Sequence, residues 1–89
     1  MAWHVFLTVD LNNVTTEARN KFYEHLANNQ WTKLKLTTSW TARFKPEITK
    51  ARAVEVTQSD VRSAAAYAGI RDYEAGLTTS EDPATLWKS

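Results

Sequence analysis

Odd and even positions separate at the start of the chain. Over residues 2–11, Trp3, Val5, Leu7, Val9 and Leu11 alternate with His4, Thr8 and Asp10, the period of a strand with one buried face. Phe6 interrupts the polar side, which predicts a strand covered on both faces or an apolar patch for a partner. Asn12 and Asn13 then end the strand. The period changes over residues 15–29, where Ala18, Phe22 and Leu26 repeat every fourth position with Tyr23 at the edge of their stripe, as on an amphipathic helix. Thr15 or Thr16 can cap that helix, Glu17 suits its positive end, and Glu17 and Lys21 are placed to pair one turn apart. Asn28 and Asn29 fit its C-terminal stop.

Alternation returns over residues 31–45, WTKLKLTTSWTARFK. Thr32, Leu34, Leu36, Thr38, Trp40, Ala42 and Phe44 occupy even positions, while Lys33, Lys35, Thr37, Ser39, Thr41, Arg43 and Lys45 occupy odd ones. As one strand, 14 such residues would span about 46 Å, too long for a compact chain of this size, so the segment projects or folds back. A three-residue turn at Thr37-Thr38-Ser39 preserves the parity and pairs Leu36 with Trp40. Residues 46–69 admit two patterns. Ala51, Val54, Gln58, Val61, Ala65 and Ala68 follow a 3-4 spacing, which favours one helix from about Ile48 to Ala68, started by Pro46 and Glu47 and stopped by Gly69. The alternative splits the segment into a strand AVEVT and a short helix DVRSAAAYA capped by Ser59. Residues 71–78 alternate once more and read as the last strand, leaving 79–89 as an irregular tail. Leu86 and Trp87 are too apolar for a free tail and are expected to dock on the body or on another subunit.

Either way the order is βαββαβ. That predicts a single α+β domain over residues 1–89, ferredoxin-like, with an antiparallel sheet carrying two helices on one face and its other face open for function or dimerisation.

The composition narrows the chemistry. The chain has 89 residues, room for one small domain, and such domains bury a modest fraction of their surface, which favours self-association. There are no cysteines, so disulfides, thiolate zinc sites and thiol nucleophiles are excluded. The apolar start lacks a basic leader and a small-residue cleavage site, and no apolar run approaches the roughly 20 residues of a membrane span. A cytoplasmic protein without membrane contact is the expectation. Net charge is only +1, but residues 31–52 hold six Lys and Arg against one Glu, while residues 53–89 hold three against six acids. Such a split can attract an acidic partner or a second copy of the chain.

Candidate sites follow from these patterns. Lys33, Lys35, Arg43 and Lys45, with Trp31 on their side, could hold phosphates and stack bases; the alternative is a solvated strand face whose lysines guard an edge. Trp40, sharing its parity with Leu34, Leu36 and Phe44, reads as core. Asp10 could hold magnesium, or simply form the turn before Asn12. His4 and His25 sit on different elements without a nucleophile motif, and two glycines cannot build a phosphate loop. Phe6, Trp31, Leu86 and Trp87 are spare apolar residues suited to an interface.

VFLTVDL, the helix with RNKFYEHL, and Trp31 followed by a basic strand resemble, over residues 5–45, the small ferredoxin-like nucleases of CRISPR adaptation and the GhoS-type antitoxins. The resemblance implies a dimer, and for the nucleases a metal-binding aspartate at the end of the first strand, the place of Asp10. For the antitoxins it implies cleavage of a toxin's messenger RNA. No arginine cluster follows Asp10, and residues 46–89 carry no motif of either family. Two functions are therefore expected: a non-enzymatic binding or regulatory homodimer with no cofactor, or an RNA-binding, magnesium-dependent endoribonuclease. A protein partner fits the first and a nucleic acid the second.

Overall fold

A computed structural model describes residues 2–34 and 39–87. In chain order the elements are β1 (Trp3–Leu11), α1 (Thr16–Asn28), β2 (Thr32–Lys33), β3 (Ser39–Phe44), α2 (Lys50–Ala68) and β4 (Tyr73–Ser80). The strands form one antiparallel sheet in the order β2-β3-β1-β4, with both helices on one face: the ferredoxin-like βαββαβ arrangement.

Local chemistry sets the helix ends. Thr15 caps α1, its hydroxyl accepting from the Ala18 N–H at 3.1 Å, and Glu17 and Lys21 pair at 3.5 Å on the outside. At the other end the left-handed residue is Gln30, with φ 71°, beyond the two asparagines. The Gln30 N–H donates to the Ala27 carbonyl and the Trp31 N–H to the Leu26 carbonyl, both at 3.1 Å. This is a Schellman closure, and it turns Trp31 inward onto Leu26. Thr49 caps α2, accepting from the Arg52 N–H at 3.1 Å, so Pro46, Glu47 and Ile48 precede the helix rather than start it. Gly69, at φ 71°, ends it, and the Ile70 N–H closes onto the Ala65 carbonyl at 2.9 Å.

The core follows the predicted parity of β1. Val5, Leu7 and Val9 are buried against Phe22 and Leu26 of α1, Trp40 of β3, and Ala53, Thr57, Val61, Ala64 and Ala65 of α2. The segment 50–68 is one helix, as the 3-4 spacing favours, but its buried face is turned by about one residue. Ala51 and Gln58 are exposed, while Ala53 and Thr57 are fully buried. Small residues win that face because α1 and α2 pack on each other, and close backbones leave no room for Gln58. Thr57 is tolerated because its hydroxyl donates to the Ala53 carbonyl at 2.8 Å.

The β2–β3 hairpin departs from the expected turn. Leu36, Thr37 and Thr38 lie outside the described residues, but Ser39 is a strand residue and Trp40 pairs with Lys33, not Leu36. Odd positions of β2 therefore share a face with even positions of β3, and the parity reverses between the two strands. β4 is displaced two residues beyond the expected 71–78, so the irregular tail begins at Glu81.

Candidate functional site

The face of the sheet opposite the helices is built by register. On β1 it carries His4, Phe6, Thr8 and Asp10, the residues between the buried positions. His4 lies across from Arg43 on one side and Ser80 on the other; Phe6 lies between Thr41 and Thr78. At the far end Asp10 faces Glu74. The face is thus cationic and aromatic at one end, acidic at the other, and lined with hydroxyls between them.

The chain after β4 returns over the cationic end. Asp82, Pro83, Ala84 and Leu86 form one wall of a groove of about 380 Å³ whose floor is His4, Phe6, Thr41 and Arg43. Leu86 lines this groove but is 49% exposed, and Trp87 is 85% exposed, so neither of the two tail residues expected to dock is buried against the body. Gln30 and Thr32 complete the groove from the α1–β2 turn.

A second hollow of about 290 Å³ opens on the helix side between α2 and β4, walled by Leu7, Val61, Tyr73, Ala75 and Leu77. Beside it β4 is the last strand of the sheet.

The residues expected to form one basic face do not share one. Lys33 points to the helix side, its Nζ 5.3 Å from the centre of the Tyr23 ring, while Arg43 stands on the open face. Lys45 follows β3 and is exposed; Lys35 lies outside the described residues. Trp31 is neither a base platform nor a surface anchor. It is 4% exposed, its indole Nε1–H donates to Asp60 Oδ2 at 2.9 Å, and its ring meets Phe44 edge-on at 6.5 Å. The physical reason is the Schellman turn, which aims residue 31 at the core irrespective of the strand that follows. Trp40 is core, as expected, 1% exposed and edge-on to Tyr23 at 5.4 Å.

Asp10 is exposed with one facing carboxylate, Glu74, and no cluster of three metal-ligating side chains forms among the described residues. No helix among the described residues is long and apolar enough to cross a membrane. Sequence patterning singled out Phe6 and Arg43 but assigned His4, Gln30 and Thr41 no joint role. Alternation alone could have placed His4 beside Phe6; joining them to Arg43 required the β1–β3 register.

Comparison with protein-family models, curated proteins and solved structures finds no match to this chain.

Proposed function

We propose that this chain is a small binding or regulatory module that works as a homodimer, joined through the outer edge of β4. The observation that carries this is the contrast between the two edges of the sheet. As described, β2 is two residues long and includes Lys33, the short and lysine-guarded kind of edge that resists pairing. β4 is eight residues long, contains no lysine or proline, and has Glu74 as its single charge. The hollow under Tyr73, Ala75 and Leu77 runs along the same edge and is closed on its other side by Thr57, Gln58, Val61 and Arg62 of α2. Antiparallel pairing of two β4 strands would extend the sheet across a two-fold axis and bring the two hollows together, so each copy would cover the apolar side chains of Tyr73 and Leu77 beside the other's edge.

Light scattering tests this. The wild-type chain is expected at twice its own mass at micromolar concentration. Ala75→Lys places a charge beside the axis at an exposed position, so it should give a folded monomer. A wild-type chain that stays monomeric into the millimolar range would overturn the dimer.

A second function, metal-dependent cleavage of RNA, draws support from the two carboxylates of Asp10 and Glu74 facing each other across adjacent strands. Under it, Asp10→Asn should abolish magnesium-dependent cleavage of a labelled RNA while leaving the far-UV spectrum unchanged. Cleavage that survives the substitution would remove Asp10 from the reaction.

A further inference from the structure

We infer that the groove between the open sheet face and the C-terminal segment holds a phosphorylated nucleotide unit, with the base on Phe6 and the phosphate on Arg43. The inference rests on the binding-module function proposed above, which leaves the ligand open, but not on the dimer. Four observations lead to it.

The first is placement. Phe6 and His4 are two residues apart on the central strand, and Arg43 lies directly across from His4. Phe6 and Arg43 are therefore diagonal neighbours, a separation of about 7–8 Å, within the reach of a single nucleotide. The second is chemistry. A half-buried phenyl ring on a sheet is a stacking surface that any base can use, and a guanidinium offers the fork geometry that phosphate oxygens accept. His4 adds a second planar ring beside it. The third is the lining. Thr32, Thr41, Thr78 and Ser80 supply hydroxyls that donate and accept, and Gln30 presents an amide with two donors and an acceptor, the groups that read sugar and base edges. The fourth is size. About 380 Å³ falls in the range of small-ligand clefts.

Asp82 stands on the opposite wall and repels a phosphate, which sets the polarity of the bound unit: phosphate toward Arg43, base or sugar donors toward Asp82. Phe6 shares the groove with the polar groups of His4, Arg43, Gln30 and the hydroxyls, and with apolar surface from Val5, Ala42, Pro83, Ala84 and Leu86.

The test is a two-dimensional ¹⁵N NMR titration of the full chain with adenosine monophosphate, with a mixed-sequence single-stranded RNA of about ten nucleotides, and with polyglutamate as an anionic polypeptide. The expected result is shifts concentrated at His4, Phe6, Thr41, Arg43 and Thr78 with a nucleotide ligand. Comparable affinity for the mononucleotide and the RNA assigns a free nucleotide, and a response to RNA alone assigns a strand. Arg43→Ala, at an exposed position that does not threaten folding, should weaken binding about tenfold. Phe6→Ala should weaken it by a similar factor where it folds. No shifts with either nucleotide ligand, shifts centred elsewhere, or equal shifts with polyglutamate would overturn the inference. Repeating the titration on Ala75→Lys separates the two proposals. Nucleotide binding by a monomeric chain supports the groove without the dimer, and a wild-type dimer that binds no nucleotide overturns the groove while the dimer stands.

Discussion

Replacing Trp31 with alanine is expected to destabilise the fold by about 3–5 kcal/mol, against a total of roughly 4–13 kcal/mol for 89 residues. The substitution empties the space between Leu26 and Phe44 and leaves the Asp60 carboxylate, partly buried, without the indole N–H that now holds it. It also removes the apolar contact that accompanies the Schellman turn, so the end of α1 and the start of β2 loosen together. Urea unfolding followed by far-UV circular dichroism measures the loss. A double-mutant cycle of Trp31→Phe and Asp60→Ala isolates the hydrogen bond, with an expected coupling of about 1–2 kcal/mol. If Trp31→Ala left stability unchanged and weakened only ligand binding, Trp31 would be a surface residue and the packing described here would be wrong.

The second large effect lies at Trp40 and should divide by substituent. Trp40→Ala removes the largest fully buried side chain and is expected to cost about 3–5 kcal/mol. Trp40→Phe is expected to fall within about 1 kcal/mol of the parent. The two outcomes differ because the buried indole Nε1–H of Trp40 has no acceptor among the described residues. Phenylalanine loses volume and contact with Tyr23, but it also removes an unpaired donor, and these effects oppose each other. Trp31→Phe has no such relief, because its N–H is bonded. The order expected from denaturation is therefore Trp31→Phe costlier than Trp40→Phe, with both alanine variants far below. A Phe cost at position 40 equal to the Ala cost would mean that the indole nitrogen is held by a hydrogen bond.

Much of the proposed site depends on residues whose side was visible from alternation alone. His4, Phe6 and Asp10 oppose Val5, Leu7 and Val9 along β1, and a two-residue period permits no other division once the apolar set is buried. Arg43 and Thr41 oppose Trp40 and Ala42 in the same way. What alternation could not supply was the relation between segments. Parity within a strand is local, but parity across a turn depends on register, and here Lys33 pairs with Trp40 and so leaves the side occupied by Arg43. Trp31 was misplaced for a related reason: it precedes the strand, and its direction is set by how the helix closes.

The sequence by itself determined the order of elements, the buried side of β1 and the stop at Gly69, while the structure chose Thr15 over Thr16 as the cap of α1 and one helix over a strand and a short helix for α2. The former rest on interactions within a few residues, where period and capping chemistry leave one answer. Tertiary structure decided which face of α2 is buried, because small residues surround much of that helix and only its packing on α1 selects Ala53 and Thr57 over Ala51 and Gln58. It likewise decided the hairpin register and the return of Asp82 and Leu86 over the sheet. Those choices are made by contacts between distant residues, and no local period encodes them.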